Sequence, residues 1–493
     1  MSKHMEHAWW LFLFFMISAT SLSAQKVLWS ANYGGRYNEQ ANGCQVTNDN
    51  GIILLGSTFS YGNGGYDVYM IKLDSLGDTL WSKTFGGDST EYGYDFRQTN
   101  DSGFIIVGCT NSFGYGKKDI YLVKTDTLGN VLWEKTIGGT EDDIGYSVRE
   151  TVDHGFILCG VTKSYGAGYD DVYLVKTDSA GNMLWSKTYG GAGGEIGSAV
   201  RQTPDSGFIL IGTTGSFGIG YSSVYVIRTN KNGDSLWTTT YGGNRSDLGY
   251  TVENTRDGGF IFAGATVPDG AGYYDAYLMK TDPSGNIEWE QTYGGDKEER
   301  AYSVLEEPNG DFIFTGKTDS YNSFTNIYLV ETNPIGNIVW SKYYGGSKTD
   351  EGHTLVEDNQ QNYLLAGYSY SYSSGGSDIY LMKIKGNQTT DVNEPINPAI
   401  PSGFELSQNY PNPFNMSTTI EYTLPTKSRV TITIYNILGQ VVKEWSTNSL
   451  PAGSYRYIWE GKNEKGDEIS SGVYLYRLQA GIFTQTKKMV LLK

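Results

Sequence analysis

Residues 133–178 read WEKTIGGTEDDIGYSVRETVDHGFILCGVTKSYGAGYDDVYLVKTD, and this stretch decides the fold because it recurs. Its leading Trp133 has counterparts at Trp29, Trp81, Trp185, Trp237, Trp289 and Trp340, spaced by 52 residues five times and 51 once. A period of this length marks a solenoid, a propeller or an array. Within the unit, four short runs carry the β-branched and aromatic residues of strands: Tyr146–Glu150, Phe156–Val161, Val172–Thr177 and Met183–Lys187. Helical spacing is absent. Four strands per period, seven times over, predict an all-β chain built as a seven-bladed β-propeller.

The ends of the repeat fit a closed ring. A first Trp strand, Val27–Tyr33, precedes any three-strand set, and the seventh set, about 353–385, has no Trp strand after it. The first strand is therefore expected to complete the last blade, which hides two sheet edges that would otherwise pair with other chains. Two connections per unit are tight: D-x-G, as at Asp153–Gly155, and D-x-x-G-N, as at Asp178–Asn182. Asp satisfies local backbone donors there, and Gly supplies the positive φ that hairpins need. The longer connections, G-G-x-x-x-acid and S-[YF]-G-x-G-x-x-D, fall together on the opposite face, the expected working face.

Charge divides along the chain. The whole carries −17, from 37 Lys+Arg against 54 Asp+Glu. From Phe404 onward there are 10 basic and 7 acidic residues, so residues 1–403 carry −20. Such acidity excludes nucleic acid as a partner, since phosphates demand a basic stripe. A 14% aromatic content, with 39 Tyr, excludes wholesale disorder. At the N-terminus, Lys3 and the apolar run Ala8–Ile17, followed by small residues to Ala24, read as a signal peptide over residues 1–24. No other stretch is long and apolar enough for a transmembrane span. The expected domains are then the propeller at 25–386, a Pro-containing linker at 387–403 and a small β-sandwich at 404–493.

The repeat resembles the SBBP-type propeller repeats of secreted bacterial proteins, a resemblance that implies the fold and no activity. The tail carries N-Y-P-N-P-F-N (Tyr410, Pro411, Asn412, Pro413, Phe414, Asn415), I-Y-N-I-L-G-Q with Gly439, S-G-V-Y-L-Y with Gly472, and K-M-V-L-L-K from Lys488 to Lys493. In these motifs it resembles the type A sorting domain of the type IX secretion system of the Bacteroidetes. That resemblance implies export, the type IX machinery as a partner, and a final place on the outer-membrane surface or in the medium.

Seven acids recur four residues past the second Gly of each unit: Glu39, Glu91, Asp143, Glu195, Asp247, Glu299 and Asp350. Two readings compete. Seven carboxylates around a channel mouth are hard oxygen ligands for Ca²⁺; alternatively each caps the backbone N–H groups of its own loop. The chain requires no cofactor under either reading. The long loops present Tyr61, Phe113, Tyr165, Phe217, Tyr321 and Tyr372, which either stack on a glycan or protein ligand or close the groove between blades.

Catalytic signals are weak. Beyond the leader stand two histidines, His154 in a D-x-G turn and His353 where other copies place Tyr, and neither has metal-ligand spacing. Cys44, Cys109 and Cys159 lie in predicted strands, with a Cys109–Cys159 disulfide as one option. The expected function is a non-enzymatic binding or adhesion module. The alternatives are a glycan-active hydrolase or lyase using loop-face carboxylates, and a surface scaffold.

Overall fold

A computed structural model describes residues 26–386, apart from 269–272, 322 and 374, and residues 404–492, apart from 410–411, 415–417, 448–452, 460, 466 and 482. The expected leader and linker lie outside the described residues. The chain separates into two compact units, Gln25–Asn387 and the part from Gln388 onward. Every described element longer than a turn is a β-strand.

The first unit holds seven four-stranded antiparallel sheets. Their inner strands are Glu39–Val46, Glu91–Gln98, Asp143–Glu150, Glu195–Gln202, Asp247–Asn254, Glu299–Glu306 and Asp350–Glu357, and they number the sheets one to seven below. In each of the first six sheets, four consecutive strands pair in order. In the seventh the outer strand is Val27–Tyr33, antiparallel to Asp378–Ile384. Each inner strand also packs on the second strand of the preceding sheet, and the inner strand of sheet one packs on Tyr363–Ser369 of sheet seven.

Apolar side chains fill the space between neighbouring sheets. Ile53, Leu55, Val68 and Met70 of sheet one meet Phe96, Phe104 and Tyr121 of sheet two, for example. Second and third strands are covered on both faces, which is why runs such as FILCGVT and DVYLVKT are apolar throughout and buried along their length. Outer strands alternate instead, with exposed residues between partly buried ones. Their Trp covers a turn of the next sheet: Trp81 lies against Gly129, and Trp133 against Gly181. The aromatic at the strand end adds a tie, as Tyr241 Oη donates to the Gly285 carbonyl at 2.6 Å.

Every inner strand carries a β-bulge at the same place. In sheet three the register shifts between Gly145 and Ser147, leaving Tyr146 unpaired, and the other six inner strands shift likewise. Opposite stands a glycine of the second strand, such as Gly160, where a Cβ would lie 1.9 Å from the Ile144 carbonyl oxygen. A bulge adds one residue and re-aims the side chains that follow it.

The C-terminal unit packs a sheet of Glu405–Leu406, Thr418–Leu424 and Gly453–Trp459 against a second of Val441–Ser446, Val430–Asn436, Gly472–Ala480 and Phe483–Leu491. Its core includes Phe414, Ile420, Ile432, Trp459, Tyr476 and Met489.

Candidate functional site

The seven recurring acids are buried at the start of their strands, each at most 1% exposed. Each accepts a hydrogen bond from the backbone N–H four residues earlier, at 2.7–2.9 Å. A second partner is a Ser or Thr hydroxyl of the same sheet, as Thr110 Oγ1 donates to Glu91 Oε1 at 2.7 Å. This is the geometry of a loop cap. The first Gly of the loop fits between two carboxylates, since a Cβ on Gly86 would sit 2.3 Å from Asp67 and 2.4 Å from Glu91. Truncation of Glu91 would strand the Gly87 N–H and the Thr110 hydroxyl and leave the Ser112 N–H with Thr110 Oγ1 alone. Glu91→Ala is expected to cost about 2 kcal/mol, with the same loss of melting temperature in millimolar Ca²⁺ as in chelator. A loss seen only in Ca²⁺ would show that the carboxylate holds the ion.

The paired carboxylates carry a pH signature. Burial pushes Asp67 up, the Asn63 N–H offsets part of this, and Glu91 adds to the rise, to about 6. Burial and then Glu299 bring Asp275 to about 6 as well. A folded pKa raised above the unfolded value near 4 gives a contribution present below pH 4 and lost as pH rises through 6. Asp67→Asn with Asp275→Asn is therefore expected to raise the melting temperature by a few degrees at pH 7 and to leave it unchanged at pH 4, measured by thermal scans.

The six loop aromatics are half-exposed, between 40% and 49%. Each packs on the Tyr of its own third strand, as in Tyr61–Tyr69 at 5.5 Å, Phe113–Tyr121, Tyr165–Tyr173, Phe217–Tyr225, Tyr321–Tyr328 and Tyr372–Tyr380. Tyr61 and Tyr165 also donate to the Gly34 and Gly138 carbonyls of the preceding loop. One face of each ring is thus committed to the fold. More exposed rings stand nearby on three adjacent sheets: Tyr115, Tyr169 and Tyr221, each at least 80% exposed.

The inner strands of all seven sheets line one cavity of about 330 Å³. The bulge residues form its upper tier: Asn42, Tyr94, Tyr146, Ser198, Tyr250, Tyr302 and His353. Tyr94 and Tyr146 meet at 5.0 Å, and Tyr250, Tyr302 and His353 form a second arc with spacings of 5.2 and 5.3 Å. Asn42 lies 3.3 Å from His353 Nδ1 on one side and donates to the Gly93 carbonyl, beside Tyr94, at 2.8 Å on the other. From Tyr94 an aromatic ladder runs outward through Tyr92, Tyr66 and Phe59 to Tyr37, whose rings follow one another within 6.2 Å. Phe59 and Tyr37 are exposed.

Three residues beyond the bulge, the copies diverge: Gln45, Arg97, Arg149, Arg201, Glu253, Leu305 and Val356. Arg149 donates to Asp95 Oδ2 and to the Val148 carbonyl. Asp95 also accepts from the Val148 N–H at 3.0 Å and lies 3.3 Å from Arg97 Nη1. Arg201 forks onto Glu253, with Nε to Oε2 at 2.8 Å and Nη2 to Oε1. Burial alone would raise Asp95, but Arg149, Arg97 and Arg201 outweigh it and hold the carboxyl at about 2. Glu253 is likewise lowered against its burial, chiefly by Arg201. Burial, then Arg201 and Arg97, pushes Arg149 down to about 9.

A second departure lies in sheet six. Elsewhere a third-strand cation meets a turn carboxylate: Lys72–Asp49, Lys124–Asp101, Lys176–Asp153, Arg228–Asp205, Lys280–Asp257 and Lys383–Asp358. In sheet six the cation is replaced by Glu331, gathered with Glu307 and Asp311 so that one oxygen of each lies within 4.8 Å of the others. Among the described residues this is the one group of three or more ligand-type side chains close enough to share a metal ion, and none of the seven recurring acids belongs to it.

His154 is exposed in its turn with φ +61°, while His353 faces the cavity. The three cysteines are buried and free, which corrects the Cys109–Cys159 option. Cys159 Sγ points at Gly197 of sheet four, away from sheet two, where Cys109 stands. In the tail, Phe414 is buried and exchanges backbone bonds with Val490 and Leu492, and Asn412 Oδ1 accepts from the Val490 N–H. Asn412–Pro413 is cis, and Gly439 turns a hairpin at φ +76°. Gly472 begins a strand and Lys488 lies in the last one. Tyr410, Pro411, Asn415 and Lys493 lie outside the described residues.

Sequence reading passed over Arg97, Arg149, Arg201, Asp95 and Glu253, the exposed Tyr115, Tyr169 and Tyr221, and the Glu307–Asp311–Glu331 group. In each case the signal was present as a difference between copies of the repeat.

Comparison with known proteins finds one family match, in the tail. Residues 414–482 match the FlgD Ig-like domain model. No curated protein matches the chain. Among solved structures, the chain is similar to PorZ, described as an essential bacterial surface component of the type-IX secretion system of Porphyromonas gingivalis, at 10% identity and TM-score 0.44. That match covers 94% of this chain and 60% of PorZ, so the chain spans less than two thirds of PorZ's length. A fungal alcohol oxidase of the AA5 family, in complex with copper, is similar at 10% identity and TM-score 0.47, over 96% of this chain and 100% of that one. The Neurospora crassa Pan2 WD40 domain is similar at 10% identity and TM-score 0.45, over 71% and 90%.

Proposed function

We propose that residues 25–386 form a closed seven-bladed β-propeller acting as an exported binding or adhesion module, delivered by the C-terminal domain as a type IX sorting signal. The observation that carries the binding reading is the asymmetry of the cavity. Residues the architecture needs repeat from copy to copy: the capping acids, the bulge-facing glycines and the Trp staples. The cavity tiers do not, and they gather tyrosines and arginines on some sheets while Ser198, Leu305 and Val356 fill the same positions on others. Pairing of Val27–Tyr33 with Asp378–Ile384 supports ring closure. The motifs of the tail support the sorting role, and its Ig-like family is compatible with it.

Binding is favoured over hydrolysis by electrostatics. A glycosidase needs one carboxyl whose pKa is raised so that it stays protonated near neutrality. The cavity carboxylates Asp95 and Glu253 are ion-paired and lowered, and Glu351, 3.5 Å from His353 Nε2, is lowered as well. The raised carboxyls Asp67, Asp275, Glu306 and Glu357 stand outside the cavity lining, and Asp67 is only 2% exposed within its own loop. A glycan array together with a reducing-sugar assay on the purified protein tests this reading. Binding without turnover is expected; turnover assigns an enzyme, and silence in both assays assigns a scaffold.

A further inference from the structure

We propose that the cavity takes the carboxylate of an acidic sugar, a uronate, at Arg97, Arg149 and Arg201, with the sugar ring against Tyr94 and Tyr146. The proposal rests on the binding reading above and names its ligand class.

Charge is the first argument. Three guanidiniums and two carboxylates line the cavity, leaving one positive charge uncompensated inside a chain of net charge −17. A single surplus charge matches one carboxylate, whereas a phosphate dianion would overbalance it. Low-dielectric walls strengthen such an attraction and focus it on the cavity. Burial is the largest cause of the depressed pKa of Arg149, and Arg201 and Arg97 lower it further against the opposing pull of Asp95 and Glu253.

Architecture does not require the arginines. The same strand position holds Leu305 in sheet six and Val356 in sheet seven, and both sheets keep the same bulge and pairing. Arg201 is occupied by a bidentate carboxylate and Arg149 by Asp95. Arg97 has donors to spare: among the described residues only its Nη1 is used, toward the Phe96 carbonyl at 2.8 Å and Asp95. Its side chain is also the most exposed of the three, at 30% against 13% and 11%. A guanidinium fork with free N–H groups suits a planar carboxylate.

The tier above supplies the rest. Tyr94 and Tyr146 stand on the same sheets as Arg97 and Arg149, three residues earlier along each strand. They offer aromatic faces to the apolar face of a ring, and the Gln45 amide and Ser198 hydroxyl in the lining offer partners for sugar hydroxyls. The volume of about 330 Å³ is of ligand-pocket size. The ladder from Tyr37 to Tyr94 connects this tier to exposed rings.

Ligand-observed NMR on the full chain provides the test, with D-glucuronate, its neutral amide glucuronamide, glucose and acetate as probes. Glucuronate is expected to bind at least tenfold more tightly than each of the other three. Arg97→Gln is expected to remove that preference while leaving the melting temperature within a few degrees. Equal binding of glucuronamide or glucose would overturn the role of the arginines, and equal binding of acetate would leave an anion site without a sugar. Array binding to other glycans with no response to glucuronate sinks this proposal alone; silence on the array sinks the binding reading with it. The amide comparison needs no variant, so the proposal stays falsifiable if Arg97→Gln fails to fold.

Discussion

Gly160→Ala is expected to destabilise the first unit by about 3 kcal/mol, the upper part of the range for overpacking a buried site. A Cβ there would lie 1.9 Å from the Ile144 carbonyl oxygen and 2.9 Å from the Gly145 Cα, so the clash is backbone against backbone. No rotamer relieves it. Either the two strands move apart, losing the pairing of Gly145 with Gly160, or the bulge at Tyr146 is lost. Removing the bulge would shift Ser147–Glu150 by one residue and turn Arg149 out of the cavity. Gly56, Gly108, Gly212, Gly264, Gly316 and Gly367 stand in the same relation to their own bulges, with carbonyl approaches of 1.7–1.9 Å. Gly243→Ala is the control, since nothing lies within 4 Å of a Cβ at that loop position. Denaturant melts of the two variants should differ by most of the predicted loss.

Asp95→Ala is expected to cost about 3–5 kcal/mol, the price of breaking a buried ion pair from one side. Asp95 compensates Arg149, accepts from the Val148 N–H and accepts from the Ser147 hydroxyl at 3.2 Å. Its removal leaves a guanidinium that is already pressed by Arg97 and Arg201, with the Val148 carbonyl as its remaining acceptor among the described residues. Arg149→Met on top of Asp95→Ala should recover most of the loss, because the uncompensated charge disappears with it. A double-mutant cycle by denaturant unfolding measures this coupling. If the two single losses simply add, Asp95 and Arg149 do not depend on each other.

Much of the architecture could be read from the repeat. Strand and turn positions in sheet three agree with the sequence reading within a residue or two, except for the inner strand. Its run of strand-forming residues starts at Tyr146, while the strand itself begins at the recurring acid, Asp143. The bulge interrupts the alternation of buried and exposed residues, so the first residues of that strand do not display period two. In the tail, the two-residue strand Glu405–Leu406 is too short to stand out in the sequence, and half-exposed residues fill the strand Val441–Ser446.

The site was less legible than the fold, for a physical reason. A residue repeated seven times announces itself, and the capping acids and loop aromatics were found that way. Yet repetition reports what every sheet needs, and both sets turn out to be committed to their own loops. Ligand specificity lies in positions where sheets differ, such as Arg97 against Val356. Their importance appears only when the inner strands converge on one cavity.

The central claim is that ligand is held among the bulge residues rather than on the loop rim. One measurement addresses it most directly: glycan-array binding of the unmodified chain beside Tyr94→Asn/Tyr146→Ser and Tyr165→Ala/Phe217→Ala. The first pair borrows the residues that Asn42 and Ser198 already place at equivalent bulges, so the fold should keep its melting temperature. Loss of binding in the cavity variant with retention in the loop variant is the predicted result. Retention in the cavity variant with loss in the loop variant would contradict the account.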